Sequence, residues 1–147
     1  MELPIKVLAH HEGLPIPSYQ TNGSVGLDLA AAIPTDQPIE LKPFHRMAIP
    51  TGIAIQLPHG CEGQVRPRSG CSLRDGLVAI FGTIDTDYRG ELKVIVHNID
   101  PEKSVMINRG DRIAQLVVAN YEHVVPAITE SLYLTKRGEK GFGSTGK

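Results

Sequence analysis

Four short segments of the sequence combine glycine with arginine, carboxylate or hydroxyl side chains at positions where packing of a hydrophobic core does not require them. They are VRPRSG at 65–70, GTIDTDYRG at 82–90, RGDRIAQL at 109–116 and RGEKGFGSTGK at 137–147. Arginine side chains, hydroxyls and the backbone N–H groups of glycine-containing loops all bind phosphate. These residue types therefore indicate chemistry on an anionic, phosphorylated ligand.

The first segment places two arginines and a serine just before a predicted short helix. Backbone N–H groups at the start of a helix, together with Arg66, Arg68 and Ser69, can form an anion-binding site. The alternative is that Ser69 caps the helix and the arginines are solvated, which is the commoner arrangement for such a pattern in isolation. On these residues alone both interpretations stay open.

The second segment contains the best candidate for a general base, Asp85. The pattern around it predicts a tight β-hairpin that leads into a strand at Glu91–His97. Asp87 is interpreted as a turn residue. Asp85 follows Thr83-Ile84 in a strand-like context, where a carboxylate needs a partner or a function. A carboxylate in such a position can accept a proton from a reacting group.

Two further acids and a glutamine lie in or beside apolar stretches. Asp111 and Arg112 are predicted to form a structural ion pair at the start of a strand. Gln115 interrupts the apolar run that follows, so it needs hydrogen-bond partners if its face of the strand is buried. Asp28, inside the strand-like run GLDLA at 26–30, is predicted to pair with an arginine and to support the structure.

The last eleven residues differ in kind from the rest of the chain. Four glycines, at 138, 141, 143 and 146, give a backbone that loses much conformational entropy on ordering, and Phe142 is the one aromatic residue that could anchor it. Composition alone favours a frayed end. The run 143–146 (GSTG) can surround a phosphate with N–H and hydroxyl groups, which favours a lid that closes on a ligand.

The elements that position these segments are predicted to be β-strands, because short alternating or β-branched apolar runs separated by turn clusters dominate the sequence. The predicted strands are Ile5–Ala9, Val25–Ala31, Met47–Gln56, Gly63–Val65, Leu77–Phe81, Glu91–His97, Ser104–Ile107 and Ile113–Tyr121. One short helix is predicted at Ser69–Arg74, closed by Asp75-Gly76. Many short strands at close spacing predict an all-β sandwich, jelly roll or small barrel.

Composition narrows the class of protein further. A chain of 147 residues with 41% apolar residues predicts one folded domain, and a net charge of −1 argues against binding a nucleic-acid polymer. No apolar run is long enough for a signal peptide or a membrane span, and the six histidines lack metal-ligand spacing. Cys61 and Cys71 are interpreted as two buried thiols rather than a disulfide. We therefore expect a soluble, cytoplasmic protein.

Five motifs taken together carry a resemblance to a known family. They are VGLDLAA (25–31), RPRSGCS (66–72), GTIDTDYRGELKV (82–94), RGDRIAQLVV (109–118) and RGEKGFGSTG (137–146). Any one of them is weak, but five in this order across nearly the whole chain are highly specific. The sequence resembles the trimeric all-β dUTPases. The resemblance implies a distorted jelly-roll (β-clip) subunit with one short helix, assembled as a homotrimer with active sites at subunit boundaries.

The resemblance also implies a division of the chain and roles for individual residues. Residues 1–136 would form the all-β core domain and residues 137–147 a flexible C-terminal lid. Asp85 would orient and deprotonate the attacking water, and Tyr88 would pack against deoxyribose and leave no room for a 2′-hydroxyl. The other implied substrate contacts are the uracil-reading backbone at Gly82, Thr83, Ile84 and Lys93, the phosphate-region residues Arg68, Ser69, Gly70 and Gln115, and the lid residues Arg137, Phe142 (over the base), Gly143, Ser144 and Thr145.

The implied activity is hydrolysis of dUTP to dUMP and diphosphate, which limits uracil incorporation into DNA and supplies dUMP for dTMP synthesis. Such chemistry needs charge neutralisation and an oriented water rather than a covalent nucleophile. Mg²⁺ is the expected cofactor, held through substrate phosphates and water rather than by a carboxylate cage. The alternatives are a dCTP deaminase-type enzyme of the same fold and a catalytically silent dUTP-binding trimer that acts as a sensor or docking module.

The sequence departs from the family pattern at three places outside the predicted general base. Glu139-Lys140 stand where the family often has a small residue followed by glycine. Cys71 and Ser72 replace apolar or small residues common after the second motif. Ala79 stands where many bacterial members have an asparagine near the uracil, which predicts that recognition of the base depends more on backbone groups.

Overall fold

The computed structural model describes residues 1–141, which contain eleven β-strands, one α-helix and a 3-10 turn at Ala9–His11. The strands are β1 (Ile5–Val7), β2 (Leu27–Ala30), β3 (Ile39–Leu41), β4 (Arg46–Pro50), β5 (Ile53–Ile55), β6 (Cys61–Arg66), β7 (Leu77–Ala79), β8 (Gly82–Ile84), β9 (Lys93–Asn98), β10 (Val105–Ile107) and β11 (Arg112–Asn120). The helix, α1, spans Ser69–Asp75. The predicted all-β class with one short helix is confirmed. Neither helical element in this part of the chain is long and apolar enough to cross a membrane.

The strands form two larger antiparallel sheets and two short antiparallel pairs. The strand order is β2-β11-β6-β8 in the first sheet and β4-β9-β7 in the second, while β1 pairs with β5 and β3 pairs with β10. Both larger sheets bury side chains in one hydrophobic core, among them Leu29 and Leu116 from the first and Ile49 and Val94 from the second. Each such burial is worth about 1.5–3 kcal/mol, so the strands that lead into the polar segments are firmly held.

Two sequence predictions about strands are wrong, because backbone conformation and long-range pairing override the local pattern. The strand predicted at Met47–Gln56 is interrupted at Gly52, whose φ of +68° favours glycine and whose missing Cβ leaves room for His11. The predicted hairpin at 82–90 does not form, since β8 pairs with β6 whereas β9 pairs with β4 and β7. Residues 85–92 instead cross from the first sheet to the second.

The short helix ends as the sequence predicts, but it begins differently. Gly76 adopts the left-handed conformation with φ +66° and closes α1 directly after Asp75. The N-cap residue is Arg68, in an extended conformation and without a side-chain cap hydrogen bond, so the interpretation of Ser69 as the helix cap is wrong. The other local prediction, that Cys61 and Cys71 are buried thiols, is confirmed.

Asn98 is a fully buried polar side chain that ties three backbone segments together. Its amide nitrogen donates to the carbonyls of Leu41 (2.9 Å) and Lys103 (2.8 Å), and its Oδ1 accepts from the N–H of Asp100 (2.9 Å). Asn98→Ala removes a partner from each of these groups, and each unmade bond of this kind costs about 1–3 kcal/mol. We expect the free energy of unfolding to fall by about 3 kcal/mol, measured by urea denaturation at one protein concentration.

The matched control for this variant is Asn108→Ala. The Asn108 amide is exposed and makes only a 3.4 Å contact with Asp111, so its removal is expected to change stability by less than about 0.5 kcal/mol. Equal stability of the two variants would contradict the role given to Asn98.

Candidate active site

Asp28 is the centre of a charged cluster on the first sheet. It lies on β2 opposite Gln115 of β11, and Gln115 lies opposite Arg66 of β6. Its Oδ1 is 3.0 Å from Nε of Arg68, and its Oδ2 is 3.2 Å from Nη1 of Arg112. The predicted pairing of Asp28 with an arginine is thus confirmed, with two partners. Because the Asp28 side chain is only 12% exposed, these partners compensate a largely desolvated charge.

The predicted ion pair between Asp111 and Arg112 is wrong. Asp111 Oδ2 instead accepts from the backbone N–H of Asn108 at 2.7 Å and closes the turn before β11. Neighbouring residues in an extended segment point to opposite sides, so adjacent opposite charges do not imply contact. Asp111 therefore shapes the turn, and Arg112 is left for the Asp28 cluster.

Part of the Arg68 guanidinium is bonded within the Asp28 cluster, and the rest is free in the described part of the chain. Nε faces Asp28, and Nη1 donates to the carbonyl of Arg112 at 2.9 Å. In residues 1–141, Nη2 has no hydrogen-bond partner. Ser69 and Gly70 follow as the first residues of α1. A planar guanidinium held through two of its nitrogens presents its remaining donors in a fixed direction, which suits a phosphate oxygen.

Gln115 completes the cluster from β11. Its Nε2 donates to the carbonyl of Pro67 at 2.9 Å, and its side chain lies against Gly26, where any Cβ would overlap the amide. Glycine at 26 thus leaves the room that the Gln115 side chain occupies. These residues face a mainly polar cavity of about 390 Å³, lined by Gln20, Ser24, Val25, Gly26, Asp28, Arg68, Ser69, Gly70, Cys71, Arg74, Arg112 and Gln115. The cavity brings together the first, second and fourth sequence motifs.

Asp85 begins the crossover directly after β8, and backbone contacts fix its place. Its carbonyl accepts from the N–H of Tyr88 at 3.1 Å, and Oγ1 of Thr86 donates to the carbonyl of Cys61 at 2.7 Å. Arg89 Nη1 donates to the carbonyls of Thr86 (2.7 Å) and Tyr88 (2.8 Å). The Asp85 carboxylate is exposed and has no polar partner in residues 1–141. A fixed main chain with a free carboxylate suits a proton acceptor.

Tyr88 is positioned by the two residues that follow the turn. Its hydroxyl donates to the carbonyl of Glu91 at 3.0 Å. Its ring lies so close to Gly90 that a Cβ at that position would overlap the phenol oxygen. Tyr88 is 44% exposed, so one side of the ring remains open to a ligand.

The backbone predicted to read a base belongs to an edge strand. In the described chain, β8 (Gly82–Ile84) pairs with β6 on one side and has no strand on the other. Lys93, at the start of β9, pairs with Pro50. The free edge of β8 offers N–H and C=O groups in the alternating pattern that a planar base edge can meet. Ala79 is 2% exposed and lies in the core.

Within one chain, the Asp28 cluster and the predicted general base, Asp85, face different cavities. Asp85 faces an open cavity of about 810 Å³ lined by His59, Glu62, Thr83, Asp85, Thr86, Asp87, Arg89, Tyr121 and His123. Neither Arg68 nor Gln115 lines that cavity. Sequence reasoning missed Gln20, whose Oε1 accepts from Arg112 Nη1 at 3.2 Å and which no motif singled out. It also missed the bracing role of Arg89, although Arg89 lies inside the third motif.

The predicted lid is described only in part. Arg137 is exposed, and its Nε donates to the carbonyl of Lys140 at 3.1 Å within a local turn. Phe142, Gly143, Ser144 and Thr145 lie outside the described residues, so their predicted substrate contacts remain predictions.

The donor set of the described residues bears on how a metal ion could be held. Residues 1–141 contain no group of three or more His, Cys, Asp or Glu side chains placed to bind a metal. Mg²⁺ prefers oxygen ligands, keeps several waters and commonly binds through substrate phosphates. The arrangement fits a Mg²⁺ that arrives with a phosphorylated ligand.

Comparison with known proteins gives consistent matches along the chain. The dUTPase family profile matches residues 12–146. The deoxyuridine 5'-triphosphate nucleotidohydrolase of Aquifex aeolicus is 53% identical over 146 residues, covering 98% of this chain and 95% of the relative. The same enzyme of Maricaulis maris is 48% identical over 144 residues, covering 97% and 94%. The solved structure of Staphylococcus bacteriophage 80alpha dUTPase with dUPNHPP superposes with a TM-score of 0.87 at 29% identity, covering 99% of each chain.

Proposed function

The chain belongs to the dUTPase family and hydrolyses dUTP to dUMP and diphosphate; we propose that Asp85, Arg68 and Gln115 act in this reaction, in a site shared between subunits. Asp28 and the Arg112 carbonyl hold Arg68 in place. The main support is the cluster itself. A largely buried carboxylate holds two arginines at the rim of a polar cavity lined also by Ser69 and Gly70. In residues 1–141 the Asp28 carboxylate and the Arg112 carbonyl engage only Nε and Nη1 of Arg68, so Nη2 is left for an anionic ligand.

The arginine cluster binds the phosphate chain. Arg68 contributes the donors that Asp28 and the Arg112 carbonyl leave free, while Ser69 and the N–H of Gly70 lie beside it in the same cavity. Phosphoanhydride cleavage places most of its developing charge on phosphate oxygens, so prepositioned donors stabilise the transition state without reorganising. Gln115, fixed by the Pro67 carbonyl, contacts the same phosphate region.

Asp85 orients the attacking water and accepts its proton. The water's oxygen forms a bond to the α-phosphorus, the bond from that phosphorus to the bridging oxygen breaks, and diphosphate leaves with the electron pair. No side chains of the described residues form a cage for Mg²⁺, so the ion would be held through substrate phosphates and water and would supply charge neutralisation at the leaving diphosphate. The free edge of β8 hydrogen-bonds the uracil, and Tyr88 packs against the deoxyribose.

The site is completed by a homotrimer. Asp85 and the Arg68 cluster face separate cavities within one chain, so a neighbouring subunit would bring the two halves together. Residues 122–141 form no strand or helix, and the apolar side chains Val125, Ile128 and Leu134 in this segment are at least 92% exposed. Apolar surface of this extent favours contact with another chain. The two buried free thiols fit work in a reducing compartment, the cytoplasm.

The test of this function is diphosphate release from dUTP, dCTP, dTTP and UTP, measured side by side with Mg²⁺ and with chelator. Release from dUTP that needs Mg²⁺, with little from the other three, is the expected result. Such specificity would limit uracil incorporation into DNA and supply dUMP. Ammonia release from dCTP would instead support a dCTP deaminase-type enzyme. Tight dUTP binding without turnover would support a catalytically silent dUTP sensor.

The C-terminal segment is expected to close over bound nucleotide. Deleting residues 137–147 removes only local hydrogen bonds in the described part, such as that from Arg137 to Lys140. We therefore expect an unchanged melting temperature and a fall in kcat of about 10²-fold or more, since closure excludes water and completes the site. Full turnover by the shortened chain would rule out a lid. Deleting residue 147 alone is the matched control.

A further inference from the structure

A contact between His10 and Glu91 lies at the end of the crossover formed by residues 85–92. Neither residue lines the two cavities described above. His10, in the 3-10 turn near the N-terminus, places Nε2 2.6 Å from Oε1 of Glu91, and the same oxygen accepts from the backbone N–H of Gly52 at 2.9 Å. The Glu91 side chain is 18% exposed and that of His10 is 44% exposed. One carboxylate oxygen thus connects two segments distant in sequence to the end of the crossover.

The main chain of Glu91 contacts Tyr88, which lies in the same crossover. Its carbonyl is the acceptor for the Tyr88 hydroxyl at 3.0 Å. The next residue is equally fixed, since the Leu92 carbonyl accepts from Oγ1 of Thr51 at 2.6 Å and the Leu92 N–H donates to Ile53 at 2.8 Å. The contacts of the Glu91 side chain and of Leu92 together fix the main chain at residue 91. That main chain in turn positions the Tyr88 ring through the hydroxyl hydrogen bond.

The turn that carries His10 is itself anchored. Arg109 donates to the carbonyls of His10 (3.0 Å), Glu12 (2.6 Å) and Ile33 (2.8 Å). His11, buried beside it, pairs its Nδ1 with the Thr51 carbonyl at 2.9 Å. Arg109 belongs to the fourth motif, so this motif reaches the crossover through the N-terminal turn as well as the phosphate cluster through Arg112.

We propose that His10 and Glu91 are a positioning pair that holds Tyr88 in place and thereby sets the preference for deoxyribose over ribose. This inference rests on the role proposed for Tyr88. Tyr88 has one hydrogen bond through its side chain in the described chain, that to Glu91. If loss of the Glu91 side-chain contacts lets the main chain at residue 91 shift, the ring loses both this bond and its contact with Gly90, and the space for a 2′-hydroxyl opens.

The geometry also explains why a carboxylate occupies position 91. Burial raises the pKa of Glu91, but hydrogen bonds from His10 and the Gly52 N–H outweigh it and leave the pKa below its usual value. The carboxylate accepts from both neighbours. A glutamine can still accept from His10 and Gly52 through its amide oxygen, whereas alanine loses both contacts, so the two substitutions separate the hydrogen bonds from the negative charge.

The experiment compares kcat/KM for dUTP and for UTP in Glu91→Ala, Glu91→Gln and His10→Ala, with Glu40→Ala as an exposed-carboxylate control. Glu91→Ala is expected to lower the dUTP-to-UTP ratio by roughly tenfold, a size typical of a loosened steric pocket. Glu91→Gln should restore most of the ratio, and Glu40→Ala should leave it unchanged. A ratio unchanged in Glu91→Ala, even with a lower melting temperature, would show a structural contact only and overturn the inference.

A second comparison distinguishes this inference from the role of Tyr88 itself. In a Tyr88→Ala background, Glu91→Ala should cause no further loss of discrimination, because the two changes act through one ring. If Tyr88→Ala lowers the ratio and Glu91→Ala adds its full effect on top, the pair does not act through Tyr88 and is overturned alone. If Tyr88→Ala leaves the ratio intact, the sugar gate and the positioning pair both fail.

Discussion

Asp85→Asn is expected to lower kcat for dUTP by about 10²–10⁴-fold, the usual contribution of a positioned general base. The substitution keeps the shape of the side chain and the main-chain turn, in which the Asp85 carbonyl accepts from the Tyr88 N–H. It removes only the ability of the carboxylate to take a proton from water. Because the Asp85 carboxylate has no partner in residues 1–141, no structural ion pair is lost with it.

The measurement is single-turnover hydrolysis of dUTP together with the Kd of a non-hydrolysable dUTP analogue. We expect the Kd to stay within roughly threefold of the unsubstituted protein, since only a transition-state contribution is removed. Asp87→Asn is the matched control: it lies two residues away, lines the same cavity and is interpreted as a turn residue. Loss of turnover in Asp87→Asn with activity retained in Asp85→Asn would transfer the role of base to Asp87.

The parts of the fold that the sequence predicted correctly depend on local chemistry. The all-β class follows from short apolar runs, and the end of α1 follows from the glycine directly after the helix, where φ is +66°. Asp28 was identified because a charge within an apolar strand must be compensated, and Arg68 and Arg112 are the partners found. Each of these inferences depends only on the physical requirements of single residues, such as the backbone conformation that a glycine permits or the charge compensation that a buried carboxylate needs.

The failures share a different cause. The hairpin at 82–90 was predicted from turn-forming residues, yet β8 pairs with β6, some twenty residues earlier, and β9 with the even more distant β4. The supposed Asp111–Arg112 pair failed because Arg112 meets a partner on β2. Local pattern cannot rank competing long-range partners. For the same reason, the contact between His10 and Glu91, 81 residues apart, could not be foreseen.

Arg68→Lys is expected to lower kcat/KM for dUTP by about 10²-fold, although the charge is retained. In the structure, the guanidinium meets Asp28 through Nε and the Arg112 carbonyl through Nη1, which leaves Nη2 for a ligand. A lysine has one nitrogen, so it can hold Asp28 or reach the phosphate but cannot do both with fixed geometry. Removal of a single oriented donor commonly costs 10²–10³-fold.

Arg74→Lys is the matched control for Arg68→Lys. Arg74 lines the same cavity, but both of its bonding nitrogens, Nε and Nη2, face the neighbouring Asp75 at 2.8 Å, and its side chain is 75% exposed. We expect it to retain kcat/KM within about threefold, because exposed ion pairs contribute little. Steady-state kinetics and melting temperature should be measured together.

Two results would contradict the role of Arg68. If Arg68→Lys keeps full kcat/KM, positive charge alone suffices for phosphate binding. If Arg74→Lys shows the larger loss, the phosphate-binding arginine is at position 74. Either result would overturn the geometry proposed for Arg68. Only a guanidinium held in place by Asp28 and the Arg112 carbonyl explains a loss of kcat/KM that is specific to position 68.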